Sequence, residues 1–236
     1  MPTQTALVLG ASGSVGQALV AELLGSEAFS TVFVFTRRPL GSSLGPKVRE
    51  VVVPDMSPGP LIAAVTALGQ DLAGEAVGFS VLGIGAGTAK VSLEAHRAVD
   101  VALNAAFAQG LKASGKVRHM VYMSAMGADI RAKASGSGAA GMPRYARVKG
   151  EAEAAVQEQG PEVVSILRPS VILGSQHTPK VLATLAGWLS PLTPAAYRPI
   201  RTTDIARTMI ALAVRPPQKS AVYCYPEMKA LFARGD

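Results

Sequence analysis

Two groups of residues in this chain are spaced for chemistry. Tyr145-Ala-Arg-Val-Lys149 sets a phenol and an ammonium four residues apart, and at the start of a helix that spacing puts both on one face. A lysine charge beside a tyrosine favours release of the phenolic proton, so the pair can give or take a proton as hydride moves to or from a carbonyl carbon. The same lysine can hold the ribose hydroxyls of a nicotinamide cofactor. The second group is Gly10-Ala-Ser-Gly13-Ser-Val-Gly16. Glycines between a strand and a helix permit a tight turn and let the backbone approach a pyrophosphate, whose charge the helix N-terminus stabilises. The spacing is G-x-x-G-x-x-G, not the commoner G-x-G-x-x-G.

These residues need a frame. Thr5–Leu9 is a short apolar run suited to a buried parallel strand, and helical spacing runs from Gly13 to about Leu24, with Gly25 placed to stop it. Strands are expected at Thr31–Phe35, Val48–Val53, Val77–Leu82, Arg118–Met123 and Val163–Leu167, where β-branched and apolar residues cluster. Helices are expected at Leu61–Leu68, Val91–Ala113 and Tyr145–Gln157. Strands alternating with helices of this length mean crossover units and a parallel sheet covered on both faces. The fold class is therefore α/β, a Rossmann-type doubly wound sheet. The chain reads as one domain over 1–236: a core over about 1–169, then a small lobe over about 170–236 that folds over the strand ends and shapes the substrate pocket. Prolines divide the lobe into short pieces, with helices expected at Lys180–Leu189 and Thr203–Val214 and a last strand at Ala221–Tyr225.

The end of the second strand bears on the cofactor. NAD-selective sites place an acidic residue there for the adenosine ribose; this chain has Thr36-Arg37-Arg38. Two guanidiniums can grip a 2′-phosphate, so NADP(H) is favoured over NAD(H).

Taken together, these features resemble an atypical short-chain dehydrogenase/reductase, in the subgroup of the Tat-interacting oxidoreductase-like proteins. The likeness covers about residues 5–215. It rests on Leu9–Gly16, Phe35–Arg38, Val53-Pro54-Asp55, Val81-Leu82-Gly83, Ser124 with Gly127-Ala128-Asp129, Tyr145–Glu151 and Arg168-Pro169-Ser170. The resemblance implies that Gly10, Ser12, Gly13, Ser14, Val15 and Gly16 wrap the pyrophosphate and that Arg37 and Arg38 bind the 2′-phosphate. It further implies that Asp55, with Met56, hydrogen-bonds adenine, that Leu82 and Gly83 line the adenosine side, and that backbone at Pro169 meets the nicotinamide amide. Tyr145 and Lys149 match the catalytic pair, and Ser124 the residue that orients the carbonyl. Relatives often end the fifth strand in Ser-Ser, with the second hydroxyl on the substrate. Here Ala125 stands second, so that hydroxyl is either absent or supplied by Ser124, and its loss would weaken oxyanion stabilisation.

Composition narrows the remainder. The chain has 236 residues, 49% hydrophobic, enough to bury a core and too apolar for a disordered chain. One cysteine, Cys224, excludes a disulfide scaffold, and no apolar run approaches the roughly 20 residues of a membrane span. The first basic residue is Arg37, which gives no charged start of a targeting segment. These features set the expectation of a soluble, cytoplasmic protein. Net charge is +7, a field that favours anionic ligands, yet no stacking aromatics accompany a basic stripe, so nucleic acid is not the expected partner. His96, His119 and His177 are far apart and no metal site is expected. His119 reads as a sheet-end hydrogen bonder and Cys224 as a small core residue on a strand.

Three functions fit these residues. The first is an NADP(H)-dependent oxidoreductase acting on a small carbonyl or alcohol. The second is an NADP(H)-sensing regulatory protein acting through a protein partner. The third, a sugar-nucleotide epimerase or dehydratase, generally needs a larger C-terminal domain. The helices at Val91–Ala113 and Tyr145–Gln157 could pair between two copies as a homodimer.

Overall fold

A computed structural model describes residues 3–41, 45–174 and 194–233. Seven parallel strands form one sheet in the order β3-β2-β1-β4-β5-β6-β9. They are β1 (Gln4–Leu9), β2 (Phe29–Thr36), β3 (Val48–Val52), β4 (Ala76–Ser80), β5 (Val117–Met123), β6 (Val163–Leu167) and β9 (Ala221–Tyr223). Two short strands, β7 (Ile172–Leu173) and β8 (Ile200–Arg201), pair separately. The strand order turns back between β1 and β4, and such a switch opens a crevice at the carboxyl ends of the strands.

Side chains alternate across the sheet, so two cores form from one set of strands. Ala6 and Val8 face helix α1 (Ser14–Gly25), helix α6 (Thr202–Val214) and helix α7 (Tyr225–Phe232). Leu7 and Leu9 face the other way, toward α2 (Pro58–Asp71), α4 (Asn104–Ala113) and α5 (Pro143–Gln159). Both faces are covered, as the sequence pattern requires of an all-parallel sheet. Among the described residues no helix is long and apolar enough to cross a membrane.

Several expected elements take a different form. The fourth strand ends at Ser80 rather than Leu82, because Ile84 N–H and the Leu82 carbonyl bond to side chains of the following helix instead of a neighbouring strand. The single helix expected over Val91–Ala113 is composite. A 3₁₀ turn (Gly85–Lys90) precedes α3 (Leu93–Arg97), whose N-cap Ser92 accepts from Ala95 N–H. A π-helical segment (Ala98–Leu103) then joins α3 to α4. The last strand stops at Tyr223, and Tyr225 begins α7. Cys224 is therefore not a strand residue: it caps α7, where its N–H bonds Glu227 and the proline after Tyr225 suits a first helical turn. His119 lies buried within β5, 3.0 Å from Ser165 Oγ, and burial pushes its imidazole down to about 4. The helix expected at Lys180–Leu189 and His177 lie outside the described residues.

Candidate cofactor and proton-transfer site

Gly10 ends β1 in a left-handed conformation (φ +92°) that disfavours a side chain. A Cβ there would also lie 2.7 Å from Leu82 N, so its absence lets β1 run close beside the chain leaving β4. At Gly16 a Cβ would stand 2.1 Å from the Gly10 carbonyl oxygen. The loop closes on itself through Gly13 N–H to Gly10 O at 3.2 Å and Gln17 N–H to Gly13 O at 2.8 Å. Helix α1 begins at Ser14 with no side-chain cap on Gly13 and no acidic residue in its first turn, which leaves its positive end suited to an anion.

A cleft of about 480 Å³ opens beside this loop. Gly10, Ser12, Arg37, Arg38, Met56 and Leu82 all line it, and none of its lining residues is acidic. Arg37 and Arg38 are exposed at the end of β2, and the nearby Glu50 accepts the Leu40 N–H at 2.6 Å. The first half of the turn (Gly10–Ser12) and two guanidiniums in one cleft fit a phosphorylated dinucleotide, and the uncapped N-terminus of α1 follows directly, although Gly13, Ser14 and Gly16 do not themselves line the cleft. Asp55 is exposed and does not line the cleft, while Met56 does. Val15 is buried in the core under α1. A larger cleft of about 770 Å³ between α1, α6 and α7 contains none of these residues.

The second half of the site sits at the start of α5. Arg144 donates to the carbonyls of Thr88 and Val91, both at 2.9 Å, which ties this end of the helix to the segment after β4. Gly150 lets α5 press on the loop after β5: a Cβ there would be 2.2 Å from Ile130 N. Asp129 N–H reaches Ala146 O at 2.9 Å in the same contact. Ser124 N–H bonds Leu167 O and Met126 N–H bonds Pro169 O, so the strand ends carrying Ser124 and Pro169 lie side by side. The Ser124 hydroxyl is buried and has no hydrogen-bond partner among the described residues.

Tyr145 and Lys149 share a face of α5, with Nζ 5.9 Å from the phenol ring centroid. Lys149 is buried and ion-paired: its Nζ lies 2.8 Å from Asp100 Oδ1, whose side chain is 1% exposed. Burial works to strip the ammonium proton, but Tyr122, Asp100 and Tyr145 outweigh it and raise Lys149 above its ordinary range. Burial likewise opposes the Asp100 charge, yet Lys149, His96 and the Ile84 N–H bring that carboxyl down to about 2. Gly83 leaves room for the pair, since a Cβ there would sit 3.1 Å from Asp100 Oδ1 and 3.3 Å from Lys149 Nζ.

Asp100 had no place in the sequence reading, and His96 entered it only as a residue too isolated for a metal site. His96 is fully buried, its ring 6.0 Å from the Tyr145 ring and its Nε2 3.7 Å from Asp100 Oδ1. Asn104 continues the line, donating to Asp100 O at 2.8 Å and Leu82 O at 3.3 Å. The signal was present as His96-x-x-x-Asp100-x-x-x-Asn104, a polar stripe at helical spacing.

The family model described as NAD(P)H-binding matches residues 10–216. The chain belongs to this family. Within the NAD(P)H-binding family it is similar to the mitochondrial protein FMP52 of Eremothecium gossypii, with 32% identity over 173 residues, 73% of this chain and 68% of that protein. Protein HTATIP2 of Rattus norvegicus is 31% identical over 175 residues, 73% of this chain and 64% of that one. Among solved structures, MoeE5 in complex with UDP-glucose and NAD superposes with a TM-score of 0.65 at 18% identity, covering 98% of this chain and 81% of MoeE5. At that identity the likeness carries the Rossmann fold alone. With the family match, it makes the chain an NAD(P)H-binding protein of Rossmann fold that is similar to HTATIP2 over about three quarters of its length. The expected cytoplasmic location is corrected by the same comparison, because FMP52 proteins of several fungi are mitochondrial. A lone cysteine fits every compartment that keeps thiols reduced, so it could not distinguish them.

Proposed function

We propose that this protein is an NADP(H)-dependent oxidoreductase of the short-chain dehydrogenase/reductase type, acting on a small carbonyl or alcohol. The observation that carries the reading is the single cleft shared by the first half of the glycine turn and by Arg37 and Arg38, with no carboxylate lining it. The glycine turn and the N-terminus of α1 would hold the pyrophosphate, the two arginines the 2′-phosphate, and Leu82 and Met56 the adenosine. The dinucleotide, when bound, supplies or accepts the hydride. Tyr145 gives the proton to the nascent alkoxide at its phenolic oxygen, or removes it in the oxidative direction. Lys149 stabilises the phenolate and holds ribose hydroxyls, and the buried Ser124 hydroxyl orients the carbonyl.

Calorimetric titration with NADPH and with NADH, on wild type and on Arg37→Ala/Arg38→Ala, tests the cofactor half. NADPH affinity should fall to the NADH level in the variant; equal binding of both nucleotides by wild type would overturn the preference. Tyr145→Phe should abolish turnover and leave NADPH affinity nearly unchanged. A second reading, an NADP(H)-sensing protein that acts through a partner, is favoured by Ala125, which replaces a hydroxyl at the substrate position. Bound NADPH that no aldehyde, ketone or quinone in a broad panel oxidises would select it.

A further inference from the structure

Around the end of β4, five polar side chains converge in a buried space, and the reaction proposed above gives a task to only two of them. Lys149 and Tyr145 come from α5. Asp100 stands on the π-helical segment, His96 on α3, and Tyr122 on β5, its hydroxyl fully buried and without a hydrogen-bond partner among the described residues. Glu153, one turn beyond Lys149, is taken by Arg168. Asp100 is thus the counter-ion of Lys149, and its own position is fixed: one oxygen meets Nζ and the other accepts the Ile84 N–H at 3.0 Å. The Asn104 side chain also holds the Asp100 backbone carbonyl. The π-helical segment widens the turn where Asp100 stands, and such bulges occur frequently at functional sites.

A lysine this deeply buried loses its proton readily once its counter-ion is removed; lysines in comparable surroundings fall by about 3–5 units. We infer that Asp100 is a positioning residue: it keeps Lys149 charged and aimed beside the Tyr145 ring, so that the Tyr145–Lys149 pair stays competent through the neutral and alkaline range. The part of this inference that concerns turnover rests on the proposed proton transfer by Tyr145. The part that concerns Lys149 does not.

The sign follows from the charge. In wild type Lys149 remains an ammonium at every working pH. In Asp100→Asn the amide keeps the shape and removes the negative charge, so Lys149 deprotonates at a lower pH. Activity then survives at acidic pH and fails as pH rises, whereas a merely structural defect lowers activity by the same factor at all pH values.

Lysine labelled at Cε and followed by nuclear magnetic resonance reads the Lys149 charge without any turnover, its signal assigned by its loss in Lys149→Arg. The Asp100→Asn protein should titrate Lys149 at least about 2 units below wild type, and Asp100→Glu should restore the wild-type behaviour. A Lys149 signal in Asp100→Asn that titrates with wild type overturns the inference. If Asp100→Asn does not fold, Lys149→Met serves from the other side: Asp100, held at about 2 in wild type, should rise by at least about 2 units, and a carboxyl that stays put overturns the inference. In the pH profile of NADPH oxidation, Asp100→Asn should gain an alkaline limb that wild type lacks. If no carbonyl is reduced at any pH, the oxidoreductase reading fails, while the Lys149 titration still decides the role of Asp100.

Discussion

Gly16→Ala tests whether the glycine turn is shaped for a ligand or only for the fold. The new methyl carbon would lie 2.1 Å from the Gly10 carbonyl oxygen and 2.7 Å from Ala11 Cα, where ordinary contact begins at 3.4 Å. Both neighbours are backbone, so no side chain can swing aside, and the turn must open by about 1.3 Å; overpacking of this kind costs about 1–3 kcal/mol. In a chain of this length a loss of about 2 kcal/mol lowers Tm by about 4–8 °C. If the N–H groups of the turn carry a pyrophosphate, losing one of those contacts weakens NADPH binding by a further 1.5–3 kcal/mol or so, about ten- to a hundredfold in Kd. Gly13→Ala is the control: its nearest neighbour is 3.6 Å away and its φ of −75° suits any residue, so its stability should change by less than about 1 kcal/mol. Thermal unfolding and NADPH calorimetry on the two variants give four numbers. A Gly16→Ala protein with lowered Tm and unchanged NADPH affinity refutes the cradle and leaves a purely structural turn.

Three further outcomes follow from burial and charge. Glu153→Gln strands the Arg168 guanidinium against a neutral amide where a largely buried carboxylate had paired with it, so denaturant unfolding should show a loss of about 3 kcal/mol; a change below about 0.5 kcal/mol would mean the pair contributes nothing. His119 is held neutral by burial, with its folded value at about 4 against an ordinary 6.5. Below pH 6.5 the unfolded chain takes a proton that the native state refuses, so stability present above that pH falls by about 3 kcal/mol on going to pH 4; His119→Gln should remove this part of the acid dependence, and an unchanged slope would refute the assignment. Gly150→Ala should push α5 from the Asp129–Ile130 backbone, only 2.2 Å from the added Cβ, with a loss of about 1–3 kcal/mol in thermal unfolding and reduced turnover through displaced Tyr145 and Lys149.

The sheet was legible in the sequence because its strands are buried on both faces. Runs such as Ala6–Leu9 and Val163–Leu167, the latter interrupted only by Ser165, are apolar on both faces instead of alternating, and a parallel sheet is the usual structure that needs them. The glycine turn and the arginines were legible for a related reason: backbone chemistry at a strand end leaves a local sequence record. Elements whose form depends on distant partners left none. The end of β4 is set by side chains of the next helix, and α7 after Tyr223 is capped by Cys224 and Glu227 in a pattern that the Tyr-Cys-Tyr run reads equally well as strand.

The least legible feature is the one on which the candidate site turns. Ala98–Leu103 contains no glycine or proline, and a change from α to π winding asks for neither. What the sequence does carry is the stripe His96, Asp100, Asn104, three polar residues at i, i+4 and i+8 that a helix would bury only if each had a purpose. Two of the purposes are visible: Asn104 ties the helix to the end of β4, and Asp100 faces Lys149. Tyr145 and Lys149 match a known motif and so draw notice alone, yet an ammonium at that depth is unstable without its carboxylate. If the pair transfers protons as proposed, the motif alone is an incomplete unit, and its remaining member is Asp100 on another helix, 49 positions upstream of Lys149.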